Sequence, residues 1–350
     1  MLSRIILTTF LILFAAEPAS SWGWQGHQYI GNLAFELLNP NARRHVRQLL
    51  GAGVDLGHGA VWADCVRSID VGPAGALTYQ PDRYTPKVCG DFTVQEQARM
   101  ISYASNNWTN CKYKNALREC HKSFHFADVN VRAHLDYDRS YFGTGDEDVV
   151  QAIKAALIVL KCKTGQTCLV PPPFHLSSKR EALLLLSHMT GDLHQPLHVG
   201  AIYLDGAGVP GSDSGQATGG GNLLLVSAGD DGSNLHHEWD TVLKSITVTP
   251  SPLAISQGCA IAPLPNPTPE PVEKWAGESV IAAATAYSGM SFIDEPSPDL
   301  NGYWDIIFVK RADYLDMVRR TQAIQLIRGG ARLAILLNSV WPSSKAAPKC

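Results

Sequence analysis

Six stretches of the chain repeat their apolar residues at helical spacing, and few alternate as a half-buried strand does. They are His27–Leu38, Val94–Ser105, Asp148–Leu160, Lys179–Leu193, Val272–Ala286 and Tyr303–Leu337. Between them, Gly206–Gly221 is rich in Gly and Ser, and Thr249–Pro271 carries seven prolines, so both read as long loops. The expectation is an all-α fold: a single mostly helical domain with long loops and room for a small β-hairpin. A length of 350 residues is at the long end for one domain, but hydrophobic residues make up 45% of it, enough for a sizeable core. There is no internal repeat and no charge block.

The first 21 residues have a different character. Arg4 precedes an apolar run from Ile5 to Ala16, and Ala19-Ser20-Ser21 places small residues before Trp22. This is the pattern of a secretory signal peptide, and the apolar run is short of the ~20 residues that span a bilayer. The expected organisation is a signal peptide over 1–21, a catalytic domain over 22–342 and a tail over 343–350. The mature protein is expected to be secreted, into the extracellular space or a periplasm, without a membrane anchor. In that oxidising setting eight cysteines are expected in disulfides. Cys111 with Cys120 and Cys162 with Cys168 are the first pairings, each closing a short loop; Cys65, Cys89, Cys259 and Cys350 leave three connectivities open. Asn107-Trp108-Thr109 fits the glycosylation sequon, which has meaning only in a host that glycosylates.

Charge excludes one class of protein. A formal charge of −3 is not that of a nucleic-acid binder relying on a basic surface. Any phosphate recognition has to be local, as at a bound metal. The histidines and aspartates supply such a locality. His188 and Asp192 are four apart in a helical stretch and so share a face, His236 and Asp240 repeat the spacing, and His198 lies between the two pairs. Imidazole and carboxylate together are the set that catalytic zinc prefers. Each residue also has an ordinary structural alternative: Asp64 as a helix cap, His125 as a core histidine, Trp22 and His27 as packing near a terminus.

The motifs, taken in order, resemble a known family. They are Trp22-Gly23-x-x-Gly26-His27, Trp62-Ala63-Asp64-x-x-Arg67, Phe124-His125-Phe126-x-Asp128, His188-x3-Asp192-Leu193-His194-Gln195-Pro196-Leu197-His198, Gly220-Gly221-Asn222, Asn234-Leu235-His236-x2-Trp239-Asp240, Trp275-Ala276-x-Glu278-Ser279 and Gly330-Ala331-Arg332-Leu333-Ala334. Together they are similar to the trinuclear-zinc single-strand nucleases of fungi, plants and bacteria, the nuclease P-one and S-one type, whose helical fold is shared with phospholipase C. They cover nearly all of the chain beyond residue 21.

That resemblance implies three Zn2+ ions. One would be held by Asp64, His125, His188 and Asp192; a second by His198, His236 and Asp240; a third by His27, Asp192 and the backbone amine and carbonyl of Trp22, freed by signal cleavage. Asp192 would bridge two ions, which would lower the pKa of a shared water. Asp64 would orient that hydroxide or take its proton, and Arg67 would neutralise the transition state. Phe126 would stack on a base and Asp128 would accept hydrogen bonds from its edge; both could instead be ordinary core and turn residues. The implied activity is hydrolysis of single-stranded DNA and RNA to 5′-phosphorylated products, with 3′-nucleotidase activity on nucleotides and no stable protein partner.

Two alternatives stand beside this reading. A zinc phospholipase C shares the Trp terminus and the His/Asp spacing, but it favours Glu where this chain has Asp240, and the chain keeps Arg67, Phe126 and Asp128. A non-catalytic zinc-binding exported protein would have no use for Asp64 and Arg67. One departure from the family is the 38-residue gap from His198 to His236, which contains the Gly-rich stretch.

Overall fold

Ten helices among the described residues carry the architecture, and local sequence sets where most of them start. A computed structural model describes residues 22–111, 119–163, 165–166, 168–204, 215–227, 233–241, 246–262, 269–293 and 302–350. The expected signal peptide, residues 1–21, lies outside the described residues, as does most of the Gly-rich stretch. The helices are α1 (Trp24–Glu36), α2 (Pro40–Leu50), α3 (Leu56–Val66), α4 (Val94–Asn106), α5 (Val149–Lys161), α6 (Lys179–His194), α7 (Leu235–Thr241), α8 (Pro252–Ile261), α9 (Val272–Ala286) and α10 (Arg311–Val340). Side chains of Asn39, Asp55, Thr93, Asp148, Ser178 and Ser251 accept from first-turn amides and so fix the starts of α2, α3, α4, α5, α6 and α8. Pro40 and Pro252 stand at the first helical position, where the missing N–H costs nothing.

Helix α6 is the axis of the molecule. Its run Leu183–Leu184–Leu185–Leu186 is buried on every side, as befits a helix wrapped all round by others. Helices α1, α3, α5 and α10 pack against it, and it stops at Gln195-Pro196, where proline disfavours a continuing helix. Helices α1 and α3 approach each other closely at Gly31, where a Cβ would collide with the Leu56 carbonyl. Four disulfides staple the periphery: Cys65–Cys89, Cys111–Cys120, Cys162–Cys168 and Cys259–Cys350. The last ties residue 350 to α8, so the C-terminal tail is anchored.

The mostly helical expectation holds, with three local corrections. The front of the Tyr303–Leu337 stretch is a strand, Trp304–Phe308, whose Trp304, Ile306 and Phe308 point inward while Asp305 and Ile307 face out. It pairs in parallel with Leu224–Val226 and antiparallel with Met290–Phe292, so a three-stranded sheet exists beyond any single hairpin. The proline-rich Thr249–Pro271 stretch contains α8, because its early prolines flank a Ser cap and its later ones fall after the helix has ended. Helices α2, α3 and α7 were missed by periodicity. Two of them are entered through Asn39-Pro40 and Asp55, signals that are present in the sequence.

Candidate metal centre

The carboxylate of Asp192, in the last turn of α6, gathers the histidines. Its Oδ2 lies 3.0 Å from His125 Nδ1 and 3.1 Å from His188 Nε2, while Oδ1 lies 3.3 Å from His27 Nε2 and 4.0 Å from His198 Nδ1. His188, one turn earlier on α6, also faces Asp64 of α3 at 3.6 Å and stacks its ring on that of His27 from α1. The helical spacing of His188 and Asp192 therefore works with the close α1–α3–α6 packing to bring three elements to one point. A second group, His198, His236 and Asp240, has its ligand atoms within 4.8 Å of one another, as do the groups His27/Asp64/His188 and His125/His188/Asp192. All these side chains are buried.

Backbone carbonyls orient the rings. His188 Nδ1 donates to Ala60 O (2.7 Å), His198 Nδ1 to His125 O (2.8 Å) and His236 Nδ1 to Gly220 O (3.0 Å). A carbonyl can only accept, so each Nδ1 carries a proton, and in the neutral ring each Nε2 presents its lone pair, the arrangement found behind metal-ligating histidines. The segment bearing His125 is held against the one bearing His198 by Ala127 N to His198 O at 2.8 Å and Val129 N to Val199 O at 2.9 Å.

A cation fits this donor set. Both Asp64 oxygens, His198 Nε2, His236 Nε2 and Asp240 Oδ2 are buried and make no hydrogen bond among the described residues. Buried acceptors are nearly always satisfied, so a group of them converging in two adjacent clusters marks a place for positive charge. Electrostatics keeps most of the rings neutral, the form that ligates. Burial lowers the pKa of His27 and His198, takes His125 down to about 4 and drives His236 well below its ordinary value. His188 is raised, because Asp192 and Asp64 together outweigh its burial. Burial pushes the Asp192 carboxyl up, but His188 and His198 prevail and hold it well below the usual range. Burial raises Asp240 well above that range, opposed by a hydrogen bond from Gln195.

The remaining predicted residues lie around this centre. Arg67, the C-cap of α3, places Nη1 3.6 Å from Asp64 Oδ1. Asp64 sits near the end of α3, so it is not the cap of a helix start. Trp22 is buried and its indole donates to Gly191 O at 2.9 Å, while the next amide, Gly23 N, donates to Asp240 O at 3.1 Å; the start of the described chain thus touches both clusters. Phe126, extended at φ −145° and ψ 165°, is half-buried, and Asp128, two residues further on, is buried. Burial raises the Asp128 carboxyl to about 6, against a hydrogen bond from the Gly220 amide.

Two residues of the site were not given a role by sequence reasoning. Gln195 donates through Nε2 to Asp240 Oδ1 at 2.8 Å. Gly220, at φ +59°, serves Asp128 with its N–H and His236 with its C=O, and a Cβ there would strike the Leu197 carbonyl. Both lie inside recognised motifs, which was the available signal. His194 faces elsewhere: it bonds Thr190 O and Arg332 in the core.

The S1/P1 nuclease family model matches residues 108–342, and the chain belongs to that family. It is similar to Endonuclease 4 of Arabidopsis thaliana, at 25% identity over 97% of this chain and 95% of that protein. Endonuclease 1 and Endonuclease 2 of the same plant are 26% and 25% identical, each over 68% of this chain. The chain spans less than two thirds of those two proteins, 59% and 61% of their lengths. Family and relatives together support a nuclease.

Proposed function

We propose that this chain is an exported endonuclease that hydrolyses phosphodiester bonds of single-stranded DNA and RNA to 5′-phosphorylated products and removes 3′-phosphates from nucleotides. Residues 1–21 are read as the removable leader, 22–342 as the catalytic domain and 343–350 as its tail. The observation that carries the reading is the convergence of buried imidazoles on the Asp192 carboxylate, beside ligand atoms of Asp64, His198, His236 and Asp240 that have no hydrogen-bond partner among the described residues. The residues that would hold three zinc ions are Asp64, His125, His188 and Asp192; His198, His236 and Asp240; and His27, Asp192 and the freed backbone of Trp22. Bound zinc supplies Lewis acidity and a hydroxide nucleophile near neutral pH.

The protein's own groups do the rest. Asp64, neither of whose oxygens is held by a hydrogen bond among the described residues, orients the attacking water and accepts its proton. Arg67 stands next to it and meets charge developing on the phosphate oxygens. Phe126 stacks on a base and Asp128 takes hydrogen bonds from its edge, a contact worth about 1–3 kcal/mol that a paired, stacked base cannot make without leaving its duplex. With the positive charge concentrated at the centre, a chain of charge −3 needs no basic surface.

The test is metal analysis of protein starting at Trp22, combined with hydrolysis of single-stranded DNA, RNA and a 3′-mononucleotide before and after chelation. The expected result is a zinc content near three per chain and release of 5′-nucleotides that chelation abolishes. Zinc without phosphodiester cleavage would favour phospholipase or storage, and absence of zinc would overturn the assignment of the ligands.

A further inference from the structure

The loop that follows the proposed base pocket carries an aromatic ring with no place in the reading above. Phe142 is 60% exposed, with its ring edge-on to the buried Tyr203 at a centroid distance of 5.7 Å. The next residue, Gly143, accepts from the Asp128 amide at 2.8 Å, and the Tyr203 hydroxyl donates to the Asp128 carbonyl at 2.8 Å. The fit is close: at φ +85°, a Cβ on Gly143 would collide with both the Asp128 carbonyl and the Tyr203 hydroxyl. Phe142 is therefore tied to the backbone of the residue proposed to read the base.

The loop is also stiff. Asp138 Oδ1 accepts from Ser140 N at 2.8 Å, Thr144 Oγ1 donates to Asp138 O at 2.9 Å, Thr144 N donates to Tyr141 O at 3.2 Å, and the Tyr137 hydroxyl reaches Asp148 at 2.7 Å. A large apolar ring held in water on a preorganised loop is a surface that gains by being covered, and little ordering entropy opposes the contact.

We propose that Phe142 is a stacking platform for the base of the nucleotide next to the one held at Phe126 and Asp128. The inference rests on the nuclease reading and extends it: the protein grips two successive bases, so an oligonucleotide gains a contact that a mononucleotide lacks.

The experiment compares KM for a dinucleotide and for a 3′-mononucleotide in the zinc-loaded wild type, Phe142→Ala, Phe142→Trp and Phe126→Ala. Phe142→Ala should raise KM for the dinucleotide roughly tenfold, the value of one stacked base, and leave the mononucleotide unchanged. Phe142→Trp should restore the dinucleotide value. Phe142→Ala changing neither KM, or both equally, overturns the proposal, and the first of these with Phe126→Ala raising both leaves the base pocket standing. A wild type that cleaves neither substrate removes the nuclease reading and this inference with it.

Discussion

Gln195 Nε2 donates a 2.8 Å hydrogen bond to Asp240 Oδ1, so one oxygen of that carboxylate is fixed while Oδ2 is left facing His236 at 3.7 Å. Asp240 is thereby aimed by a residue 45 positions away in sequence. Replacing Gln195 with Ala should lower affinity at the His198/His236/Asp240 cluster by about 10–100-fold, the usual effect of losing an outer partner of a ligand. Chelator competition would show one metal leaving early, and unchanged competition would remove Gln195 from the site.

Asp64→Asn preserves shape but loses the negative charge. Hydrolysis should fall by about 10²–10⁴-fold, the typical contribution of a general base, while the other proposed holders of the same ion, His125, His188 and Asp192, keep the metal content largely intact. Single-turnover rates with parallel metal analysis separate this outcome from one in which metal and activity are lost together.

If Asp128 holds the base edge as proposed, the reaction should carry a pH signature. Burial raises its carboxyl to about 6, so it is protonated below that pH and becomes a pure acceptor above it. Affinity for a base that donates N–H groups should improve as pH rises through about 6. KM measured from pH 5 to 7 should show this in the wild type and lose it in Asp128→Asn.

Gly220 and Gly53 form a matched pair for mutagenesis. Both have positive φ, +59° and +87°, but a Cβ on Gly53 meets open space while one on Gly220 meets the Leu197 carbonyl and crowds His236. Gly53→Ala should cost about 1–2 kcal/mol of stability from backbone conformation alone. Gly220→Ala should cost clearly more and also weaken metal retention. Thermal melting of both variants, with and without chelator, checks the difference.

The Cys259–Cys350 disulfide closes the longest loop, with a separation of 91 residues. Removing it as a Ser/Ser pair should lower stability by about 2–5 kcal/mol, since long loops gain most from closure. Denaturant unfolding under non-reducing conditions measures it.

The centre was legible wherever its geometry is local. His188 and Asp192 share a face of α6 because a helix repeats every 3.6 residues, so their spacing in the sequence is enough to pair them. Contacts between distant segments were not legible. The Ala60 carbonyl behind His188 and the Gly220 peptide between Asp128 and His236 depend on how α3, α6 and the Gly-rich turn meet. The strand at Trp304–Phe308 was hidden for a related reason: it runs almost directly into α10, and the helical pattern of α10 masked five residues of alternation. Helix α8 was obscured by composition, because seven prolines suggest a loop until one asks which of them stand at helix starts.

Asn107 bears on how the protein can be made. Its side chain is fully buried, donating to Tyr103 O and His175 O at 2.9 Å and accepting from His175 N at 2.9 Å. A sugar attached to that nitrogen has no room in the folded molecule. In a eukaryotic secretory pathway the sequon meets the oligosaccharide transferase while the chain is still unfolded, so modification and folding compete for the same atom. A glycan added there yields chains barred from the native state, whereas Thr109→Ala, which breaks the sequon at an exposed residue and keeps the Asn107 hydrogen bonds, or a host without the transferase removes the competition.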